Sequence, residues 1–241
     1  MLQRVLEPEV MDSPQEAADY DAMDHREVNA RFVDDLLAVV AGAWLPKDAR
    51  PSRMPASSEP DEPDRPWDVL DLGTGTAQIP IVLCQRWECC RVLAVDAAVA
   101  MLDLARYNLE IANLTHRVQL AHADAKQLPF RDGMFDVVMS NSILHHIPQP
   151  LAVLREAVRV VRPTGWLFFR DLMRPASQQE LQRLVETYAA GANPHQRQMF
   201  ANSLHAALTL EEMQSLVEQL GFDPHTVRPT SDRHWTWAAR R

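Results

Sequence analysis

Asp71-Leu72-Gly73-Thr74-Gly75-Thr76-Ala77 follows the apolar pair Val69-Leu70 and precedes a segment of helical periodicity at 77–88. A strand that runs into two closely spaced glycines and then a helix is the entry to a βαβ unit. Glycine lets the main chain turn tightly there and lets a ligand approach the backbone. Strand ends that lead into helices are where open α/β sheets bind ligands. The chain has only seven glycines in 241 residues, under half the usual share of about 7 %, so two in three positions is a concentration. Two phosphate loops are excluded. A dinucleotide fingerprint needs a third glycine at position 78, which is Gln78, and the Lys-Ser/Thr of a P-loop is absent. Asp71 instead suits a ligand that carries positive charge.

Outward from this turn, Val92-Leu93-Ala94-Val95, Val118–Leu120, Phe135–Met139 and Trp166–Phe169 read as strands buried on both faces. Helical periodicity at 98–112 and 149–161 alternates with them; Leu151, Leu154, Val158 and Val161 form one stripe. Alternating strands and helices imply a doubly wound, Rossmann-like α/β fold with a mostly parallel sheet and right-handed crossovers. Val227 and then His234–Arg240 read as a final antiparallel hairpin, which makes seven strands. Trp235 and Trp237 share a face by the two-residue period and are expected in the core.

Residues 1–45 form an N-terminal helical arm, acidic and irregular to residue 23 and then amphipathic through Phe32, Val33, Leu36, Leu37, Val40 and Trp44. Asp24 is a candidate N-cap for that helix. Residues 46–66 carry six prolines without apolar periodicity and read as a linker. Residues 67–241 form the main domain, with a helical cap at about 176–208 and a helix start at Thr209 with Glu212 three residues on.

The formal charge of −9 argues against nucleic acid and anionic membranes, which want a basic face. Uncharged stretches such as Leu36 to Pro46 are far shorter than the roughly 18 residues of a spanning helix. The start (Glu7, Glu9, Asp12) is acidic, so no secretory signal is expected. Three cysteines make no disulfide framework, and a cytoplasmic location follows. Cys84 falls on an apolar helix face, and nothing near Cys89-Cys90 completes a site.

Asp96, with Ala97, ends the second strand twenty-one residues past Gly75. A carboxylate there either accepts both hydroxyls of a ribose or forms a turn. Asp124-Ala125 follows the third strand, where a carboxylate beside a backbone N–H can read an adenine edge. Each is weak alone; three acidic residues at three successive strand ends are not.

From about Trp67 to Asp171 the chain resembles a class I S-adenosylmethionine-dependent methyltransferase of the small-molecule type. The first motif of that family is similar to Asp71 to Ala77, with Ala77 where a third glycine often stands. Phe135-Asp136-Val137-Val138-Met139-Ser140-Asn141 and Ile143-Leu144-His145-His146-Ile147 resemble its fourth-strand motif. Arg159-Val160-Val161-Arg162-Pro163-Thr164-Gly165-Trp166-Leu167 resembles the helix, turn and fifth strand that follow. The resemblance implies S-adenosylmethionine (SAM) as cofactor. Gly73, Thr74 and Gly75 would bring the backbone to its methionyl and ribose parts, and Asp71 would sit near its ammonium. Asp96 with Ala97 would hold the ribose; Asp124 and Ala125 would read the adenine, Met101 would pack on it, and Asn141 would lie near the sulfonium.

The sulfonium already activates the methyl group, so the protein must chiefly align the acceptor. His145 and His146 follow the fourth strand: His146 is the candidate base or acceptor orienter, or the pair shapes the loop. No metal is expected, because Ser142 and His145 stand where metal-dependent relatives carry acidic ligands. Asp171 faces the substrate or pairs with Arg170 or Arg174. Tyr20 is a candidate lid residue in the arm, and Arg197 in the cap either pairs with an anionic substrate or lies on the surface. The reading is methyl transfer from SAM to a small molecule, releasing S-adenosylhomocysteine (SAH). RNA or protein methylation, and a non-catalytic SAM-binding module, are the alternatives. Oligomeric state is not legible.

Overall fold

The computed structural model describes residues 2–10, 12–42 and 65–241. Trp44 and nearly all of the proline-rich linker lie outside the described residues. Seven strands form one sheet: β1 (Trp67–Leu72), β2 (Cys90–Asp96), β3 (Val118–His122), β4 (Phe135–Asn141), β5 (Val161–Leu172), β6 (Val227–Pro229) and β7 (His234–Arg240). Their order is β3-β2-β1-β4-β5-β7-β6. β1 to β5 are parallel to one another, and β7 runs antiparallel to both β5 and β6. The doubly wound sheet and its final hairpin are as the strand and helix alternation implies.

Side chains alternate between two cores because the strands are covered on both faces. Leu70, Leu72 and Val138 pack against α5 (Pro150–Val160) and α8 (Leu210–Gln219). Val69, Val137 and Met139 pack against α2 (Arg26–Val40), α3 (Gln78–Arg86) and α4 (Val99–Ile111). Trp235 and Trp237 are fully buried in the first core. The α5 stripe is rotated from the sequence reading. Pro150, Val153, Leu154, Ala157 and Val160 are buried, while Leu151 and Val158 are only partly so. The small apolar residues Pro150 and Ala157 belong to the buried face, and weighting large side chains alone misplaces it.

The arm holds a helix that acidic composition concealed. α1 (Pro14–Asp21) starts in a capping box between Ser13 and Glu16, which satisfies two orphan N–H groups locally. The cap of α2 is His25, not Asp24; Asp24 instead accepts the N–H and the guanidinium of Arg26. Thr209 and Glu212 form the expected box at α8. The cap region comprises α6 (Gln178–Tyr188) and α7 (Pro194–Ala206), whose own small core includes Leu184 and Leu204. Cys84 and Cys90 are buried beside Arg117, and Cys89 is exposed.

Candidate active site

The strand order reverses between β1 and β4, and a cleft opens at their C-terminal ends, the usual ligand position in such sheets. Its walls include Gly73, Asp96 with Ala97, Ala123, Asp124 with Ala125, Asn141 and Ile143. Gly73 and Gly75 adopt φ of +70° and +55°, and Ala77 holds φ +62°, the left-handed conformation that glycine supplies more cheaply. A Cβ on Gly73 would stand 2.9 Å from the Cβ of Ile143. Asp96 Oδ2 accepts the Gly75 N–H at 2.8 Å, and Oδ1 accepts the Ala98 N–H at 2.9 Å. Burial pushes the Asp96 carboxyl up against these bonds.

Asp71 lies beneath the glycine turn, 2 % exposed. Burial, with Asp96 adding and the Thr74 hydroxyl opposing, pushes its pKa up to about 7. Asp124 is half exposed; its Oδ1 accepts the Lys126 N–H and lies 3.1 Å from Lys126 Nζ.

A strap formed by residues 2–10 crosses the opposite rim. Arg4 donates to the carbonyls of Ala206, Leu144, His145 and Ile147. Glu9 pairs with Lys126, and Asp12 accepts the Ala100 N–H at the start of α4. Glu9 and Val10 thereby enter the cleft wall beside Tyr20 of α1. Burial and the carboxylates of Asp96, Asp71 and Asp21 push the Tyr20 hydroxyl up to about 12.

His145 is buried, and its Nδ1 lies 2.5 Å from Asp171 Oδ1. The other Asp171 oxygen accepts the N–H groups of Leu144 and His145. Burial opposes a charge on His145, but Asp171 and Glu7 hold its pKa above the usual value. His146 does line the cleft. Burial and the adjacent His145 push its pKa down to about 3. Its ring packs on that of His145 with centroids 4.1 Å apart.

Residues 70–169 match the family model described as a methyltransferase domain. Over those residues the chain is similar to a methyltransferase domain. It is 28 % identical over 176 residues to 27-O-demethylrifamycin SV methyltransferase of Amycolatopsis mediterranei, covering 72 % of this chain and 61 % of that protein. It is 28 % identical over 163 residues to demethylmenaquinone methyltransferase of Lactobacillus johnsonii, covering 64 % of this chain and 67 % of that one. The chain thus spans about three fifths of the rifamycin relative's length. Among solved structures, the plantazolicin methyltransferase BpumL in complex with SAH superposes with a TM-score of 0.65 at 14 % identity, over 95 % of this chain and 91 % of that one. That likeness is one of fold.

Gly73, Asp96, Ala97, Asp124, Ala125, Asn141, His146 and Tyr20 come together at one cleft. Asp71, Thr74 and Gly75 are not among the lining residues. Met101 is buried against Ala17 of α1 and does not line the cleft. Asp171 does not reach the cleft either. It holds His145, while Arg170 pairs with Asp35 and Arg174 with Glu212. Arg197 sits on α7, outside the cleft lining. Arg4, Glu7 and Val10 escaped the sequence reading. A short strap has no periodicity, and its residues gain meaning only from the distant carbonyls and rings they meet. No helix among the described residues is long and apolar enough to cross a membrane.

Proposed function

We propose that the chain transfers the methyl group of SAM to a small-molecule acceptor, releasing SAH. The observation that carries this reading is the convergence of Gly73, Asp96, Asp124 and Asn141 on one cleft at the switch point of the sheet. In this reading Asp96 holds the ribose hydroxyls, Asp124 and the Ala125 N–H meet the adenine edge, and Asp71 faces the ammonium. Asn141, at the end of β4, lies by the sulfonium. When bound, SAM would supply a methyl group already activated by its sulfonium. The acceptor would take the methyl, the C–S pair would stay on sulfur, and an acceptor that carries a proton would give it up to water.

Alignment does most of the work. With a pKa of about 3, His146 is neutral at pH 7 and a weak base; we assign it to the acceptor wall. His145 lies behind it and positions the turn through Asp171. The strap and Tyr20 narrow the entrance, which favours a small acceptor over a folded RNA or protein. The net charge of −9 points the same way. The relatives that act on a rifamycin and on demethylmenaquinone, as their names state, make a ring-containing small molecule the first class to screen.

The test is calorimetric titration with SAM and with SAH, followed by SAH release on an acceptor panel. Micromolar binding of both and turnover with one acceptor support the reading. Binding without turnover on any acceptor favours a non-catalytic module, and a salt-dependent gel shift favours RNA.

A further inference from the structure

Glu7, His145 and His146 bring one carboxylate oxygen and one nitrogen from each ring within 4.8 Å of one another. The strap supplies the carboxylate, and the turn after β4 supplies both rings. We propose that this cluster binds a divalent transition-metal ion of the zinc type, which clamps the strap across the cleft.

The donor set fits. Two imidazoles and a carboxylate are an established three-ligand set for zinc, which leaves a fourth position open. With metal–ligand bonds of ~2.1 Å, the edges of a tetrahedral site are roughly 3.4 Å. Glu7 Oε1 lies 3.2 Å from His146 Nδ1 and 3.5 Å from His145 Nε2. Two of the three edges therefore already have the required length.

Hydrogen bonds fix where the lone pairs point. His145 Nδ1 lies against Asp171, so in the neutral ring Nε2 carries the lone pair and faces Glu7. A carboxylate on the far nitrogen is the usual support of a metal-bound histidine. His146 turns its Nδ1 toward the same carboxylate, 3.2 Å from Glu7 Oε1. Its Nδ1 is buried and, among the described residues, makes no hydrogen bond, although Glu7 is close. Three acceptor atoms thus converge where a cation is needed. Arg4 brings positive charge nearby, but its guanidinium donates to main-chain carbonyls.

The inference rests on this geometry and is independent of the methyl-transfer reading. The test uses the full chain, stripped with a chelator and titrated with zinc by calorimetry, and with cobalt(II) by visible absorption. A Cys89→Ser background removes the exposed thiol. One zinc per chain at micromolar Kd and tetrahedral cobalt bands are expected. Glu7→Ala and His146→Ala should each weaken binding about a hundredfold, at least what a supporting outer partner costs. The exposed His195→Ala control should not, and zinc should slow hydrogen exchange in residues 2–10. Glu7→Ala lies on the strap, so circular dichroism will show the folded domain retained. Absence of binding tighter than about 100 µM, or binding that Glu7→Ala leaves unchanged, overturns the proposal.

Discussion

Asp96 joins the glycine turn to the following helix: one carboxylate oxygen accepts the Gly75 N–H and the other the Ala98 N–H. A ribose bound at this carboxylate would meet an acceptor whose position the backbone has already fixed. The same bonds tie the glycine turn to the end of β2, so in the proposed reading Asp96 would serve both binding and preorganisation.

Asp96→Ala is expected to weaken SAM binding more than tenfold, or at least about 1.4 kcal/mol. Hydrogen bonds to a charged group contribute about 1.5–3 kcal/mol each, so the apparent melting temperature should also fall without loss of the fold. Asp96→Asn keeps one acceptor and should fall between. Calorimetric affinities for SAH, read beside thermal melts, check both effects. Unchanged affinity in the alanine variant removes the ribose assignment.

If Asp71 faces the ammonium as proposed, cofactor binding is expected to depend on pH. Its native pKa of about 7 lies above the unfolded value of about 3.9. The native state therefore holds the proton more tightly, and this contribution to stability is fully present below pH ~4. It is lost as pH rises through 7. A cationic ammonium favours the carboxylate, so binding at pH 6 should release a proton and affinity should rise toward pH 8. Calorimetry in two buffers of different ionisation enthalpy measures the release, which should vanish at pH 8.5. Asp71→Asn should melt higher than the parent at pH 8 yet bind SAM more weakly. Lack of proton release at pH 6 would show that Asp71 is already ionised or far from the ligand charge.

Gly73 and Ile143 set the spacing between the first and fourth strand ends. Gly73→Ala meets two costs: a non-glycine residue at φ +70° and a Cβ 2.9 Å from that of Ile143. Strain of the first kind is worth about 1–3 kcal/mol. Ile143→Ala leaves the close Cβ in place but removes the branches that lie 3.0 and 3.1 Å away, so it should relieve only part of the second. A double-mutant cycle on stability should give a coupling between 0.5 and 2 kcal/mol, roughly the range for residues in contact. Additive effects would mean that the loop moves freely and the contact is unimportant.

The sheet and the cofactor half of the cleft were legible because they depend on local rules. Apolar runs of strand length, helices between them and carboxylates at strand ends all occupy short stretches of chain. Even Ala77, an exception to the glycine pattern, keeps a left-handed φ of 62°. The other half was not legible. Glu7 meets His145 and His146 across more than a hundred residues, and Asp171 meets His145 rather than its sequence neighbours Arg170 and Arg174. Such pairs depend on tertiary path, which no periodicity encodes.

Gln78 shows how the position that excludes a dinucleotide loop is put to use. Its amide donates to Asp21 Oδ1 at 3.1 Å and accepts from Asn29 Nδ2 at 3.2 Å. Asn108 Nδ2 donates to the same Asp21 oxygen at 3.0 Å and to the Thr76 carbonyl at 3.1 Å. These bonds tie the end of α1 to the glycine turn, and so hold Tyr20 over the cleft. Asp21→Ala removes the shared acceptor while leaving every cleft-lining residue in place. The expected result is a faster SAM off-rate, with a threefold to thirtyfold rise in Kd, equivalent to roughly 0.7–2 kcal/mol. The melting temperature of the ligand-free protein should fall little, because α1 makes few contacts with the main core. Stopped-flow displacement of SAH, followed through Trp fluorescence, separates the rates. A large drop in stability with an unchanged off-rate would make Asp21 a support of the fold, with no part in retaining the cofactor.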